Sequence, residues 1–323
     1  MKIRTEISIA PSINKIDQRK RVFSVGSCFA EEIAQRLVEV GIPTLSNPLG
    51  VLYNPLSIEE CVERACSERG VCRGELMCRG DMWFSLSTHG VFDNPNPKEV
   101  EKGINDAICH AHTELEKSEW VILTLGTAWV YEHKGQVVAN CHKLPAKEFS
   151  RRLMTVEEVV RTLWRTIAHL SGKKIILTIS PVRYVGDGLE GNAVSKAILR
   201  LAVEEVVASA KASGECVGYF PSYEIFIDDL RDYRYYGDDM VHPSKVGVEY
   251  VWEKFCETFL TREALANGEL FARLRSACEH RPLHPESEEY RTFRYSTLQK
   301  ALSLQKLFPN NEIAESYVKY FAQ

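Results

Sequence analysis

Uninterrupted apolar runs that stop at turn residues recur along the chain. Residues 22–25 end in Gly26-Ser27, residues 120–125 in Gly126-Thr127, and residues 174–179 in Ser180-Pro181. Runs without polar alternation predict strands buried on both faces, as in a parallel sheet. A weaker run, 217–220, ends in Pro221-Ser222. Between the runs the apolar period becomes helical. Ile33, Leu37 and Val40 mark a helix over 29–40 that stops at Gly41, and residues 156–170 and 193–212 carry longer amphipathic patterns. Strands alternating with helices predict an α/β fold of three αβα layers around a mostly parallel, flavodoxin-like sheet.

Two stretches break the alternation. Residues 73–88 read as a hairpin turning at Gly80-Asp81, and residues 129–141 as another turning at Lys134-Gly135. Beyond His242 the pattern is helical, and 287–308 reads as one long helix through Leu298, Leu302 and Leu307. No repeat or low-complexity linker interrupts the chain. The expected organisation is a main domain over 1–260 and a helical extension over 261–323, packed on the core or used as a homodimer contact.

Composition narrows the function. The 323 residues carry 40 Lys and Arg against 44 Asp and Glu, a net charge of -4. That balance argues against a dedicated nucleic-acid binder, which would normally show a basic face, and leaves room for a local basic pocket. No stretch reaches the roughly 20 apolar residues of a membrane span, and residues 1–21 lack a secretory core. The ten cysteines form no C-x-x-C pair, so neither a zinc ribbon nor a thioredoxin motif is expected. Reduced thiols, a cytoplasmic location and no membrane partner are expected. His110 and His112, two apart on a helix, face different ways and make no metal site. Residues 186–191 lack G-x-G-x-x-G, so no dinucleotide cofactor is expected.

Ligands of parallel sheets bind where the strand-to-helix loops gather. Here that edge collects Gly26-Ser27-Cys28, Gly126-Thr127 and Ser180-Pro181, with Asp239-Met240-Val241-His242-Pro243 following the last strand. A Ser27 or Cys28 nucleophile at a helix N-terminus has free backbone N–H groups beside it, and His242 can serve as its base. Asp239, three residues before His242, can hold the imidazole and support its charge. Arg183 is a candidate anion contact. Arg231, Arg234, Tyr233, Tyr235 and Tyr236 can line a polar cleft or form a structural network.

Val25-Gly26-Ser27-Cys28-Phe29-Ala30 resembles the signature of the GSCFA family. The resemblance continues through Asn47-Pro48-Leu49-Gly50, Thr124-Leu125-Gly126-Thr127-Ala128-Trp129, Ala139-Asn140-Cys141-His142 and Ser180-Pro181-Val182-Arg183. It ends with Phe220-Pro221-Ser222-Tyr223-Glu224, Leu230-Arg231-Asp232-Tyr233-Arg234 and Asp239-Met240-Val241-His242-Pro243. The family is similar to SGNH, or GDSL-type, hydrolases. That similarity implies Asp239 and His242 as the closing block and Gly50 as a backbone oxyanion donor. Glycine alignment on Gly26 puts Cys28 at the nucleophile position, and serine alignment selects Ser27; both stand. The Gly-x-Asn block is incomplete, since Gly126-Thr127-Ala128 lacks the Asn donor, and Thr127, Asn140 or His142 are its candidate substitutes.

The expected function is therefore ester hydrolysis or acyl transfer on a small ester or an O-acylated glycan. Each residue also has a structural reading: Cys28 as a core thiol, Ser27 as a helix cap, Asp239 and His242 as turn residues. Two competing functions follow, a catalytically degenerate binding or assembly protein in polysaccharide metabolism and, last, a nucleotide-dependent transferase.

Overall fold

The computed structural model describes residues 4–323. In chain order the elements are β1 (Val22–Gly26), α1 (Cys28–Glu39), β2 (Thr44–Ser46), α2 (Pro55–Ser67), β3 (Leu76–Arg79), β4 (Met82–Ser85), α3 (Pro97–Lys117) and β5 (Trp120–Leu125). Then come β6 (Trp129–His133), β7 (Gln136–Val138), β8 (Phe149–Leu153), α4 (Val156–His169), β9 (Lys174–Ile179), α5 (Gly188–Ser213) and β10 (Val217–Phe220). The chain ends with α6 (Ser222–Glu224), α7 (Lys245–Phe259), α8 (Arg262–Glu279), α9 (Glu288–Leu307) and α10 (Glu312–Ala322).

The central sheet runs β2-β1-β5-β9-β10 with all strands parallel, giving the expected three-layer α/β fold. Burial follows directly from composition: every residue of β1 and β5 is buried, as is all of β9 after Lys174. The register sets Val121, Leu123 and Leu125 beside Ile175, Leu177 and Ile179. Each such aliphatic side chain contributes about 1.5–3 kcal/mol on full burial. Local signals set the helix starts. Asn54 accepts from the Ser57 N–H ahead of Pro55 in α2, and Thr155 and Glu158 form a reciprocal cap on α4.

In this strand order the chain leaves β1 towards β2 and returns on the other side of β1 to form β5. The two crossovers therefore diverge between the C-terminal ends of β1 and β5, the place where doubly wound sheets bind ligands.

The expected hairpin at Gly80-Asp81 is present as β3 and β4. The second insertion is larger than expected, because β8 joins β6 and β7 in a three-stranded antiparallel sheet. Phe149-Ser150-Arg151-Arg152-Leu153 is too polar to stand out as a strand. Its arginines find cross-strand partners: Arg151 lies over the Trp129 ring at 4.1 Å, and Arg152 pairs with Glu132.

By compactness the chain divides into two units. One comprises the segment through Ile7, residues 23–32 and residues 45–251; the other comprises 8–22, 33–44 and 252–323. The second unit therefore takes in N-terminal segments as well as the tail helices. Its core gathers Phe271, Leu274, Ala301, Leu304, Phe308, Ala314, Tyr317 and Phe321. Asn311 caps α10 and donates to the carbonyls of Gln18 and Gly41. Gly41 has φ +82°, and a Cβ there would lie 2.4 Å from the Phe271 ring. Such contacts join segments far apart in sequence.

Candidate functional site

The site begins with a backbone constraint. Gly26 ends β1 at φ +150°, and a Cβ there would lie 2.1 Å from the Thr124 carbonyl oxygen of β5. Only glycine permits this approach. Asn47, itself at φ +44°, accepts from the Gly26 N–H at 2.8 Å and donates through Nδ2 to Glu31 at 3.2 Å. The Ser27 N–H donates to the Thr124 carbonyl at 3.1 Å, and α1 starts at Cys28.

This turn separates the two candidate nucleophiles. Ser27 is 1% exposed, and its Oγ is buried without a hydrogen-bond partner among the described residues. It precedes α1 yet makes no side-chain cap. Cys28 is half-buried at the first helical position. Burial pushes its thiol up, the N–H groups of Phe29 and of Cys28 itself pull it back, and Glu31 and Glu32 push it up again. A sulfur beside the unpaired N–H groups of a helix N-terminus can carry developing negative charge.

Asp239 and His242 form the expected pair. Asp239 Oδ2 lies 2.5 Å from His242 Nδ1, while Oδ1 accepts the N–H groups of Val241 and His242, each at 2.9 Å. The N–H groups of His242 and Val241, then the ring, hold the carboxyl down at about 2. The loop is a tight return: Gly237 donates to the His242 carbonyl, Tyr236 bridges Pro243, and Met240 adopts φ +59°. Both side chains are about half exposed, at 54% and 51%. Among the described residues, the hydrogen bonds and ion pairs of His242 stay within this loop, and none reaches Ser27 or Cys28. Arg183, just past β9, lies over the Tyr236 ring at 5.5 Å, so it props the loop on the strand-end side of the sheet.

The expected oxyanion donors are engaged within the protein. The Gly50 N–H donates to the Asn47 carbonyl at 2.8 Å and is engaged in closing a turn. Gly50 is glycine because it sits at φ +83°, where a Cβ would lie 2.1 Å from His89 Cβ. The Thr127 N–H donates to the Tyr53 carbonyl, and its hydroxyl meets Ser195 Oγ at 3.0 Å and accepts from the Trp129 N–H. Asn140 accepts the His142 N–H through Oδ1 and anchors its own N–H on the Leu86 carbonyl. His142 is buried and stacked on Phe84 at 4.5 Å, with Nε2 on the Thr88 carbonyl and Nδ1 beside Asp93. These four groups build the walls of the insertions and strand ends. The donors that remain beside Cys28 are its own N–H and that of Phe29.

Two neighbours of Cys28 escaped the sequence reading. Tyr53 lies near the thiol; burial pushes its phenol up, as do the charges of Cys28, Glu31 and Tyr184. Its carbonyl also receives the Gly126 N–H at 2.7 Å. Nothing in its local sequence marks it. Lys196 is 2% exposed on α5, with Nζ donating to the carbonyls of Gly126 and Ser180, each at 2.7 Å. Burial pushes it down to about 7, against the attraction of the Cys28 thiolate. A signal existed here. Lys196 occupies the apolar stripe of α5 with Leu199, Ala202, Val203 and Val206, where a lysine needs a reason.

Among the described residues there is no group of three or more His, Cys, Asp or Glu able to hold a metal, and no helix is long and apolar enough to cross a membrane. No curated protein matches the chain. The model of the GSCFA family matches residues 21–255, and that of the GSCFA domain protein, C-terminal domain, matches residues 271–317. The first match takes in the glycine turn, Cys28, Lys196 and the Asp239–His242 loop and covers more than half the sequence, so the chain belongs to the GSCFA family.

Proposed function

We propose that the protein transfers an acyl group from an oxygen ester through a thioester on Cys28. The observation that supports this most is the position of Cys28. It opens α1 at the topological switch of the sheet, half accessible, at the N-terminus of the helix. The Cys28 thiol passes its proton to the His242 ring as sulfur attacks the ester carbonyl, and the oxyanion gathers beside the N–H groups of Cys28 and Phe29. Collapse breaks the bond to the alcohol oxygen, which takes a proton from the His242 imidazolium. The neutral ring then removes a proton from the acceptor hydroxyl, which attacks the thioester and frees the thiolate. Asp239 orients the ring through Nδ1 and supports its charge in both halves. In the free protein His242 is half exposed on its own loop, so this reading requires the loop to meet the substrate when it binds. Water as acceptor makes the reaction hydrolysis; a sugar hydroxyl, as the SGNH resemblance implies, makes it transfer to a glycan.

The test is intact mass after brief exposure to p-nitrophenyl acetate, with peptide mapping and hydroxylamine treatment. The expected result is one hydroxylamine-labile acetyl group on Cys28, retained in Ser27→Ala and absent in Cys28→Ala. An adduct on Ser27, or none with short and long acyl esters, overturns the thioester reading. One observation favours a second reading, a binding or assembly protein on this scaffold: the Gly50 and Thr127 N–H groups are engaged within the protein. That reading predicts thermal stabilisation by an acylated glycan without turnover.

A further inference from the structure

Arg183 differs from the other cations around the strand ends. Val182 donates its N–H to Ser180 Oγ, and Tyr184 donates its N–H to the buried Asn192 of α5, so the backbone is pinned on both sides of Arg183. The half-buried guanidinium lies over the Tyr236 ring at 5.5 Å. That ring is itself braced, edge-on to the buried Phe226 at 4.7 Å. Tyr236 bridges Pro243, the residue after His242, and Gly237 donates to the His242 carbonyl. Arg183 therefore joins the end of β9 to the backbone bridge that carries the imidazole. Contact with a ring engages its charge but not its N–H groups, and among the described residues none of those has an acceptor and no carboxylate pairs with it. The acids of the surrounding segments pair elsewhere: Glu224 with Arg200 at 2.9 Å, Asp228 with Arg231 and Asp232 with Arg234, each at 2.7 Å, Asp187 with Arg151, and Asp239 with His242. A planar fork of open donors fits a carboxylate or a phosphate.

We propose that Arg183 determines specificity by binding an oxyanion, a carboxylate or a phosphate, on the alcohol part of the substrate. This rests on the reading of His242 as the group that exchanges protons with the alcohol oxygens. The guanidinium and the imidazole are mounted on the two sides of one backbone bridge, so the part of the substrate that the ring serves comes beside Arg183. The acyl carbon stays with Cys28. The substrate class is accordingly an acyl ester of an acidic alcohol, such as a uronic acid or a sugar phosphate. No bond is made or broken at Arg183; its fork holds the anion and thereby sets the position of the neighbouring hydroxyl oxygen. Tyr223 and Tyr236 complete the surroundings as uncharged hydroxyls. Burial pushes both phenols up, against the pull of the Arg183 charge, so they stay protonated beside a bound anion.

The test compares hydrolysis of 4-acetoxybenzoate, 4-acetoxyphenyl phosphate and the neutral 4-acetoxybenzamide by wild type, Arg183→Met and Arg183→Lys. Intrinsic reactivity cancels when the anion-to-amide ratio of kcat/KM in wild type is divided by that in each variant. The ratio is expected to fall by about tenfold in Arg183→Met, mainly through KM, and to recover in part in Arg183→Lys. The ester whose ratio falls further identifies the anion as carboxylate or phosphate. A residue that merely props the loop would slow all three esters alike, and unchanged ratios in a folded Arg183→Met overturn the proposal. Calorimetric binding of 4-hydroxybenzoate, 4-hydroxyphenyl phosphate and 4-hydroxybenzamide needs no turnover. Anions that bind wild type no more tightly than the amide overturn the proposal even if neither variant folds. Acetylation mapped to Cys28 stands separately: a thioester with unchanged ratios removes the role of Arg183 and keeps Cys28. Anion binding that depends on Arg183, without a thioester, keeps the anion site and removes the acyl-transfer reading.

Discussion

The protein contains two histidine–aspartate pairs of nearly identical chemistry in opposite surroundings. His142 has a 1% exposed side chain beside Asp93, its ring stacked on Phe84 and both nitrogens facing oxygen acceptors. His242 pairs with Asp239 at 2.5 Å, half exposed, with Nδ1 the one ring nitrogen engaged among the described residues. The difference teaches what makes a histidine available for proton transfer. A ring with both nitrogens engaged in the protein holds elements together, here the segment at Asn140–His142 against Leu86–His89. A ring with one nitrogen held by a carboxylate keeps the other for a substrate. By that criterion the closing loop, and not the insertion, offers the histidine that the proposed function requires.

The sharpest way to break this comparison is to remove each ring. His242→Ala should slow acyl transfer by about 10²–10⁴-fold while leaving the urea midpoint where it was. A variant with full activity would end the assignment of His242. His142→Ala should do the reverse. It removes a buried stacked ring and leaves Asp93 and the Thr88 carbonyl facing a void, so stability should fall by about 3 kcal/mol by urea denaturation.

A third prediction concerns the buried lysine of α5. Lys196 titrates lower in the folded chain than in the unfolded one, so between about pH 7 and about 10 the unfolded chain binds more protons. Its burial penalty is complete below about 7 and is relieved as the pH rises. The stability of wild type relative to a folded Lys196→Met variant should therefore climb by up to about 1.4 kcal/mol per pH unit across that window. A flat difference would mean that the amine is not desolvated. The smallest effect is expected at Asp239. Its pair is exposed to solvent screening, so Asp239→Asn should slow transfer by only about two- to fivefold. Because its carboxyl sits near 2, the pair is intact above about pH 4 and is lost as the pH falls through 2. The His242 ring proton resonances should report that transition by NMR, and should not show it in the variant.

Much of this arrangement was legible before any coordinates. Apolar runs ending in Gly26-Ser27, Gly126-Thr127 and Ser180-Pro181 mark buried parallel strands and the edge where they stop, because side chains buried on both faces leave no polar alternation. The Asp-x-x-His spacing marks its own pairing, since both groups lie in one short loop. Ser27 and Cys28 were another matter. Adjacent residues at a turn point in different directions, and only the approach of Gly26 to Thr124 sends Ser27 inward and leaves Cys28 half accessible.

The donors were decided in the same way. Whether the N–H of Gly50 or Thr127 is open depends on which distant carbonyl meets it, here those of Asn47 and Tyr53. β8 went unread because arginines paired across strands do not look like a buried surface. Lys196 stood in plain view on an apolar stripe, but its neighbours, Gly126, Ser180 and Cys28, come from three different strand ends. The sequence by itself thus determined the buried strands, their main helices and the edge at which the strands stop, since periodicity and turn residues act locally. Only the tertiary structure decided which groups at that edge are buried, engaged or open, because hydrogen-bond partners and desolvation come from residues far apart in the chain.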